Sequence, residues 1–124
     1  MALENVLEEI RTRLEDRIKR QLSGLQGFVV RPIYNSIMPL HVEMSFDPEV
    51  FEFVFLKDGT IELSQSYGMV DVRIESDNQT FISLFQNPSA ERFKELERQN
   101  KIRITSLTKK GNDAEGYIRR YLAG

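Results

Sequence analysis

The residue types that carry most enzyme chemistry are scarce in this chain of 124 residues, which has one histidine, His41, and no cysteine. Thiolate catalysis and cysteine-based zinc or iron–sulfur sites are therefore excluded. A single imidazole without a calcium-loop pattern of Asp and Asn does not assemble a metal site, and no Gly-x-Ser-x-Gly turn offers a nucleophilic serine. We expect no metal and no cofactor, and we predict that His41 is a surface residue at a strand end.

Carboxylates are numerous enough to supply a general acid and a general base, provided that one is buried and its pKa is raised. Asp71 and Glu75 fall on the outward phase of a predicted strand, whereas Glu91, Glu95 and Glu97 lie among lysines and arginines on a predicted helix. These positions predict solvated side chains. The chain also lacks the glycine-rich loops that hold phosphates, so we expect neither catalysis nor nucleotide binding.

Basic residues form two small groups near the C-terminus, Lys109-Lys110 and Arg119-Arg120. A solvated surface is the ordinary interpretation of such groups, and transient contact with lipid head groups or another acidic partner is the alternative. The formal net charge is -2, so no overall field attracts nucleic acid. We expect no nucleic-acid partner.

Composition predicts a folded chain, with 40% hydrophobic and 29% charged residues. Its length is that of about one domain, residues 1–124. No apolar run approaches the ~20 residues of a membrane span. Charged residues follow Met1-Ala2-Leu3, which does not fit a cleaved signal peptide, and we predict a cytoplasmic protein.

The elements that must position any site begin with an N-terminal helix, predicted over residues 1–23. Its apolar residues recur at spacings of three and four, which is typical of an amphipathic helix, and Ser23-Gly24 ends it. Packing against the chain's own domain is one interpretation; a coiled coil that makes a homodimer is the other. The apolar stripe consists of Leu3, Leu7, Ile10, Leu14, Ile18 and Leu22.

Residues 27–40 predict an irregular but apolar connection, because Pro32, Asn35, Ser36 and Pro39 interrupt the apolar residues. Two roles fit such a segment. It can be a core flap or short edge strand, or it can be a mobile lid over a cavity.

Strands and helices alternate in the rest of the chain, residues 41–124. Period-two patterns predict strands at 41–46, 51–56, 60–64, 70–75 and 101–105, with Asp58-Gly59 as a hairpin turn. Helices are predicted after a cap at Ser76 or Asp77, from Pro88, and after a capping box of Asn112 and Glu115. This order predicts an α+β fold, a helix-covered sheet preceded by the long N-terminal amphipathic helix.

The remaining candidates for function are apolar. Large aromatic and aliphatic side chains recur in almost every predicted element after Phe51. Burial in a solid core is their ordinary role, and the wall of an apolar cavity is the functional alternative if the helices do not seat fully on the sheet. The set comprises Phe53, Phe55, Phe81, Leu84, Phe85, Phe93, Ile104, Tyr117 and Tyr121.

The part of the chain after residue 52 resembles the sterol carrier protein 2 family, a lipid-transfer domain. Phe53–Ser64 is similar to that family's strand pair, Val70–Leu84 to its strand running into a helix, and Lys101–Thr105 to its final strand before a closing helix. The chain departs from the family pattern at Glu95–Asn100, where a short glycine-containing turn is usual. No peroxisomal address is present at Tyr121–Gly124.

The resemblance implies a single five-stranded sheet with helices over one face and an apolar tunnel between them for acyl chains, sterols or other lipids. It implies no catalytic residue. By motif position, the tunnel wall would comprise residues of three elements. These are the helix that follows the strand of Asp71, the last strand and the closing helix. With Phe53 and Phe55 added, the candidate ligand-binding residues are Phe81, Leu84, Phe85, Ile102, Ile104, Tyr117 and Tyr121.

We therefore hypothesise lipid binding and transport without catalysis, in a tunnel between sheet and helices. The first alternative is an interaction or assembly protein with a solid core that dimerises through its N-terminal helix. The second is an enzyme that acts on a hydrophobic substrate with one acidic residue.

Overall fold

The structure of the chain, a computed structural model, describes residues 3–24, 27–65 and 69–123, except for the side chain at position 85. Five helices and five strands lie in this part of the chain. In order they are α1 (Leu3–Ser23), α2 (Gly27–Ile37), β1 (Leu40–Ser45), β2 (Val50–Phe55), β3 (Ile61–Gln65), β4 (Val72–Ser76), α3 (Asn78–Gln86), α4 (Ala90–Arg98), β5 (Ile102–Ser106) and α5 (Lys109–Leu122).

The strands form one open mixed sheet in the order β3-β2-β1-β4-β5. β1 and β4 run parallel, and the other neighbours run antiparallel. The predicted hairpin joins β2 to β3: the Leu56 N–H donates to the Thr60 carbonyl at 2.9 Å, and Gly59 has a φ of 91°, which favours glycine. The Asp58-Gly59 turn is thus confirmed.

The core lies between one face of the sheet and the helices. Strand residues alternate between buried and partly exposed, as in β1, where Leu40, Val42 and Met44 are buried while His41 and Glu43 face the opposite side. All five helices contribute to this same core through inward residues. The predicted α+β class, with a five-stranded sheet and helices over one face, is confirmed.

Helix α1 packs its apolar stripe into the chain's own core. Leu3, Leu7, Ile10 and Leu22 are buried, and Leu14 and Ile18 are partly buried against the same cluster. The intramolecular interpretation of the stripe is therefore what the structure shows. No helix in the described part of the chain is both long enough and apolar enough to cross a bilayer.

The prediction of an irregular segment at 27–40 is wrong, because Gly27–Ile37 forms helix α2. Pro32 cannot donate the hydrogen bond that the Phe28 carbonyl would accept, but Phe28 is 80% exposed, so water can satisfy that carbonyl. The opposite side of α2 is anchored: the Tyr34 hydroxyl donates to the Leu56 carbonyl at 2.8 Å. Burial raises the pKa of Tyr34 to about 12, so the phenol remains a donor.

The starts of the last two helices differ from the prediction. Ser89 caps α4, and its Oγ accepts the Arg92 N–H at 3.3 Å, so the helix begins two residues after Pro88. Thr108 caps α5, and its Oγ1 accepts the Gly111 N–H at 3.0 Å. The predicted capping box of Asn112 and Glu115 is wrong, since Glu115 instead accepts the Ser106 hydroxyl at 2.6 Å.

Candidate functional site

A groove of about 380 Å³ lies among three helices on the helix-covered side of the molecule. Helix α1 forms one wall, α3 and Pro88 form another, and the end of α5 closes the third side. Its size is at the lower end of the ~300–1,000 Å³ usual for small-molecule sites. The described lining residues are Ile10, Arg13, Arg17, Arg20, Phe81, Leu84, Pro88, Tyr121 and Leu122.

The floor of the groove is apolar and firmly packed. Ile10, Phe81 and Leu84 are at most 3% exposed, and the Phe81 ring lies 5.0 Å from the Phe46 ring, centroid to centroid. Phe81 and Leu84 share a face of α3 because they are three residues apart. The Asp77 cap, which accepts the Thr80 N–H at 2.8 Å, starts that helix in the correct phase.

The rim of the groove is cationic along α1. Arg13, Arg17 and Arg20 follow one another at spacings of four and three residues, so they lie on one face of the helix, just beyond Ile10. Among the described lining residues, none is aspartate or glutamate. An apolar floor with a positive edge suits an amphiphile better than a purely apolar guest.

Tyr121 completes the rim from α5. Burial raises the pKa of its phenol, while the nearby positive charges of Arg13 and Arg17 act in the opposite direction. The net direction is upward, so the hydroxyl is protonated at neutral pH and can donate a hydrogen bond into the groove.

The structure brings together only some of the residues predicted from the sequence. Phe81, Leu84 and Tyr121 line the groove. Phe53, Phe55, Ile102 and Ile104 lie in the core between the sheet and the helices. Tyr117 is 57% exposed, with the Arg120 guanidinium 5.4 Å from its ring centroid. The side chain of Phe85 lies outside what the structure describes.

The groove differs in place from the tunnel that the resemblance implies. Its described lining belongs to helices and to the α3–α4 connection, and no strand residue is part of it. The described α2 residues do not line the groove either. Residues 27–40 therefore do not form a lid over this groove. Phe81 and Leu84 separate this groove from the sheet.

The predictions for two polar residues are wrong. His41 was expected at the surface, yet its side chain is 17% exposed and its Nδ1 lies 3.3 Å from Oε1 of Glu52, whose side chain is fully buried. Asp71 was expected to be solvated, yet it is 6% exposed and accepts the His41 N–H at 2.9 Å. The His41–Glu52 pair lies on the face of the sheet opposite the helices, away from the groove.

The basic groups near the C-terminus are largely engaged within the molecule. Lys110 Nζ donates to the Pro39 carbonyl at 2.8 Å, and Arg119 pairs with Glu97 and Glu115. The cations that edge the groove are different residues, on α1. In the sequence, Arg17 and Arg20 indicate only a favourable match to the helix dipole, because nothing local shows which helix face meets α3 and α5.

The sheet order, the helical layer and the long first helix together define an SCP2-like fold. A solved structure described as "UbiJ-SCP2 Ubiquinone synthesis protein" superposes with a TM-score of 0.60 at 11% sequence identity, over 98% of this chain and 97% of that chain. The resemblance predicted from the sequence is thus confirmed at the level of the fold. No family model and no curated protein matches the sequence.

Proposed function

We propose that the chain binds a lipid or other hydrophobic molecule in the groove between α1, α3 and α5 and carries it without chemical change. The observation that supports this most directly is the apolar floor of Ile10, Phe81 and Leu84 beneath an opening to solvent. Each methylene removed from water contributes about 0.8 kcal/mol, so an alkyl chain needs few polar contacts. The described lining offers only arginines and one tyrosine as polar groups.

The fold is consistent with this proposal. The solved structure with the same fold carries the name of a ubiquinone synthesis protein, and ubiquinone is itself a hydrophobic molecule. A closed tunnel would be a deeper form of the same site. A chain longer than the groove would have to displace Phe81 and Leu84 and enter between α3 and the sheet. In this proposal the carrier is cytoplasmic. It takes up and releases its lipid during transient contact with a membrane surface.

Binding is tested with two fluorescent probes that share one alkyl chain, one ending in a carboxylate and one in an alcohol. Mass spectrometry of an organic extract of the purified protein would show whether a guest co-purifies. Uptake of either probe at one site per chain supports the proposal. Absence of uptake of both probes, together with an empty extract, would count against it.

A blocking variant assigns the uptake to the groove. Leu122 is partly buried at the groove edge, so Leu122→Trp should fill the opening with an indole ring and lower probe affinity at least about tenfold. The matched control is Leu107→Trp, at a position that is 46% exposed and outside the groove lining. Equal affinities of the two variants would place binding elsewhere.

The alternative of an interaction or assembly protein makes a different prediction. An assembly protein would form a stable oligomer, and its assembly would not depend on lipid. Light scattering of the purified chain that shows an oligomer, with neither probe taken up, would favour it over the carrier.

A further inference from the structure

We infer that the guest of the groove is a single-chain amphiphile with an anionic head group, a carboxylate or a phosphate, held by Arg17 and Arg20. This inference rests on the proposed function and specifies its ligand class. The tail would lie on Ile10, Phe81 and Leu84, and the head would lie at the α1 edge.

The first argument is the contrast between two sides of α1. Away from the groove, cations are paired with acids: Arg11 Nη1 lies 3.0 Å from Glu15, and Lys19 Nζ lies 3.3 Å from the same carboxylate. On the groove side, Arg17 has no ion pair with any carboxylate in the described part of the chain. Arg20 Nε donates to the main-chain carbonyl of Asp16 at 3.3 Å, and among the residues that the structure describes Arg20 forms no ion pair.

The second argument is electrostatic. Like charges three and four residues apart on a helix repel each other, at a cost of about 0.2–0.5 kcal/mol per pair. Arg17 and Arg20, three residues apart, lie on one face of α1 and are subject to that repulsion. An anion bound beside them would relieve it. Guanidinium is also the cation whose paired donors match the oxygens of carboxylates and phosphates.

The third argument concerns size. A volume of about 380 Å³ matches part of one alkyl chain better than two chains side by side, which favours a single-chain guest. The apolar floor lies directly beside the arginines, because Ile10 and Arg13 are three residues apart on α1. The protonated phenol of Tyr121 can donate to the same head group from the other side of the groove.

The test compares hexadecanoate, hexadecyl phosphate and hexadecanol as competitors of the fluorescent probe on the full chain. The wild-type protein should bind the two anions about tenfold more tightly than the alcohol, and added salt should reduce this preference. The double variant Arg17→Gln/Arg20→Gln should lose about tenfold in affinity for the anions and leave hexadecanol unchanged. Arg103→Gln, at an exposed position on β5, is the matched control and should behave as wild type.

The outcomes separate the inference from the proposed function. Equal binding of acid and alcohol, or equal losses of both in the double variant, would overturn the anionic head group while the carrier stands. Binding of none of the three amphiphiles would instead remove the carrier itself. Acetate and inorganic phosphate should not displace the probe; displacement by either at amphiphile-like concentrations would point to a free-anion site and overturn the inference.

Discussion

The carboxylate of Asp71 accepts the hydroxyl hydrogen of Thr108, with Oδ1 and Oγ1 2.6 Å apart. The other carboxylate oxygen accepts the His41 N–H at 2.9 Å. Asp71 directly precedes β4, and Thr108 is the cap of α5. The buried carboxylate of Asp71 therefore connects β4 to the start of β1 and to the start of the closing helix. This connection holds α5 in place above the sheet.

Replacing this carboxylate should be costly. In Asp71→Ala the partly buried His41 N–H loses its acceptor, and Thr108, which is exposed, loses the bond that fixes its hydroxyl, so we expect the free energy of unfolding to fall by about 2 kcal/mol. Urea denaturation followed by circular dichroism measures it. Asp113→Ala removes an exposed carboxylate from α5 itself and should stay within about 0.5 kcal/mol of wild type. Similar losses in both variants would show that the connection contributes nothing.

Two glycines of α5 should respond to alanine in opposite ways. A Cβ at Gly111 would overlap the carbonyl group of Asp71, so Gly111→Ala must push the helix off the sheet and should destabilise by about 2 kcal/mol. A Cβ at Gly116 would meet nothing within 4 Å, and Gly116→Ala should stabilise the helix by about 0.5–1 kcal/mol. Thermal unfolding of the two variants decides the signs, and a loss at Gly116 would contradict the orientation of α5.

The burial pattern of α2 tests whether this segment, which was predicted to be irregular, is a helix. Ile37 is 8% exposed and Ile33 is 52% exposed, although both belong to the same short helix. Ile37→Ala should cost about 2–4 kcal/mol, because it leaves a cavity in the core. Ile33→Ala should cost less than about 0.5 kcal/mol. An irregular loop would not produce such a contrast, so similar losses measured by urea denaturation would argue against the helix.

Local signals predicted the elements whose ends and faces are set by nearby residues. The stripe of α1, the Asp58-Gly59 turn and the Asp77 cap of α3 depend on contacts within a few residues, and each is where the sequence places it. Helix α2 was missed because Pro32 normally ends a helix. There, packing of the opposite face and solvation of the exposed face outweigh the local preference.

The candidate site was only half predictable for the same reason. Phe81, Leu84 and Tyr121 were expected as ligand-binding residues because aromatic and aliphatic side chains stand out in a sequence. Arg17 and Arg20 were not, because a charged residue on an amphipathic helix is ordinarily solvated. Their position at the groove depends on where α3 and α5 lie against α1, which is a property of the tertiary packing.

The acid stability of the protein should depend on Glu15, which ties α1 to the edge strand β3. Its Oε2 accepts the Ile61 N–H at 2.9 Å, and this hydrogen bond, with help from Lys19 and Arg11, holds the pKa of Glu15 below its ordinary 4.5 despite partial burial. A carboxyl whose pKa is lower in the folded state takes up its proton first in the unfolded chain. Its stabilisation is therefore present above pH 4.5 and is lost as the pH falls through the lower, folded value.

The variant Glu15→Gln keeps an acceptor oxygen for Ile61 but removes the charge. At neutral pH it should be less stable than wild type by about 1 kcal/mol, since charge-assisted hydrogen bonds are stronger than neutral ones. Below the folded pKa both proteins present a neutral side chain, so the difference should shrink towards zero. Urea unfolding at a series of pH values, from neutral down through the acid range, measures how this difference changes. A difference of constant size at every pH at which the protein stays folded would mean that Glu15 stabilises the fold by shape rather than by charge.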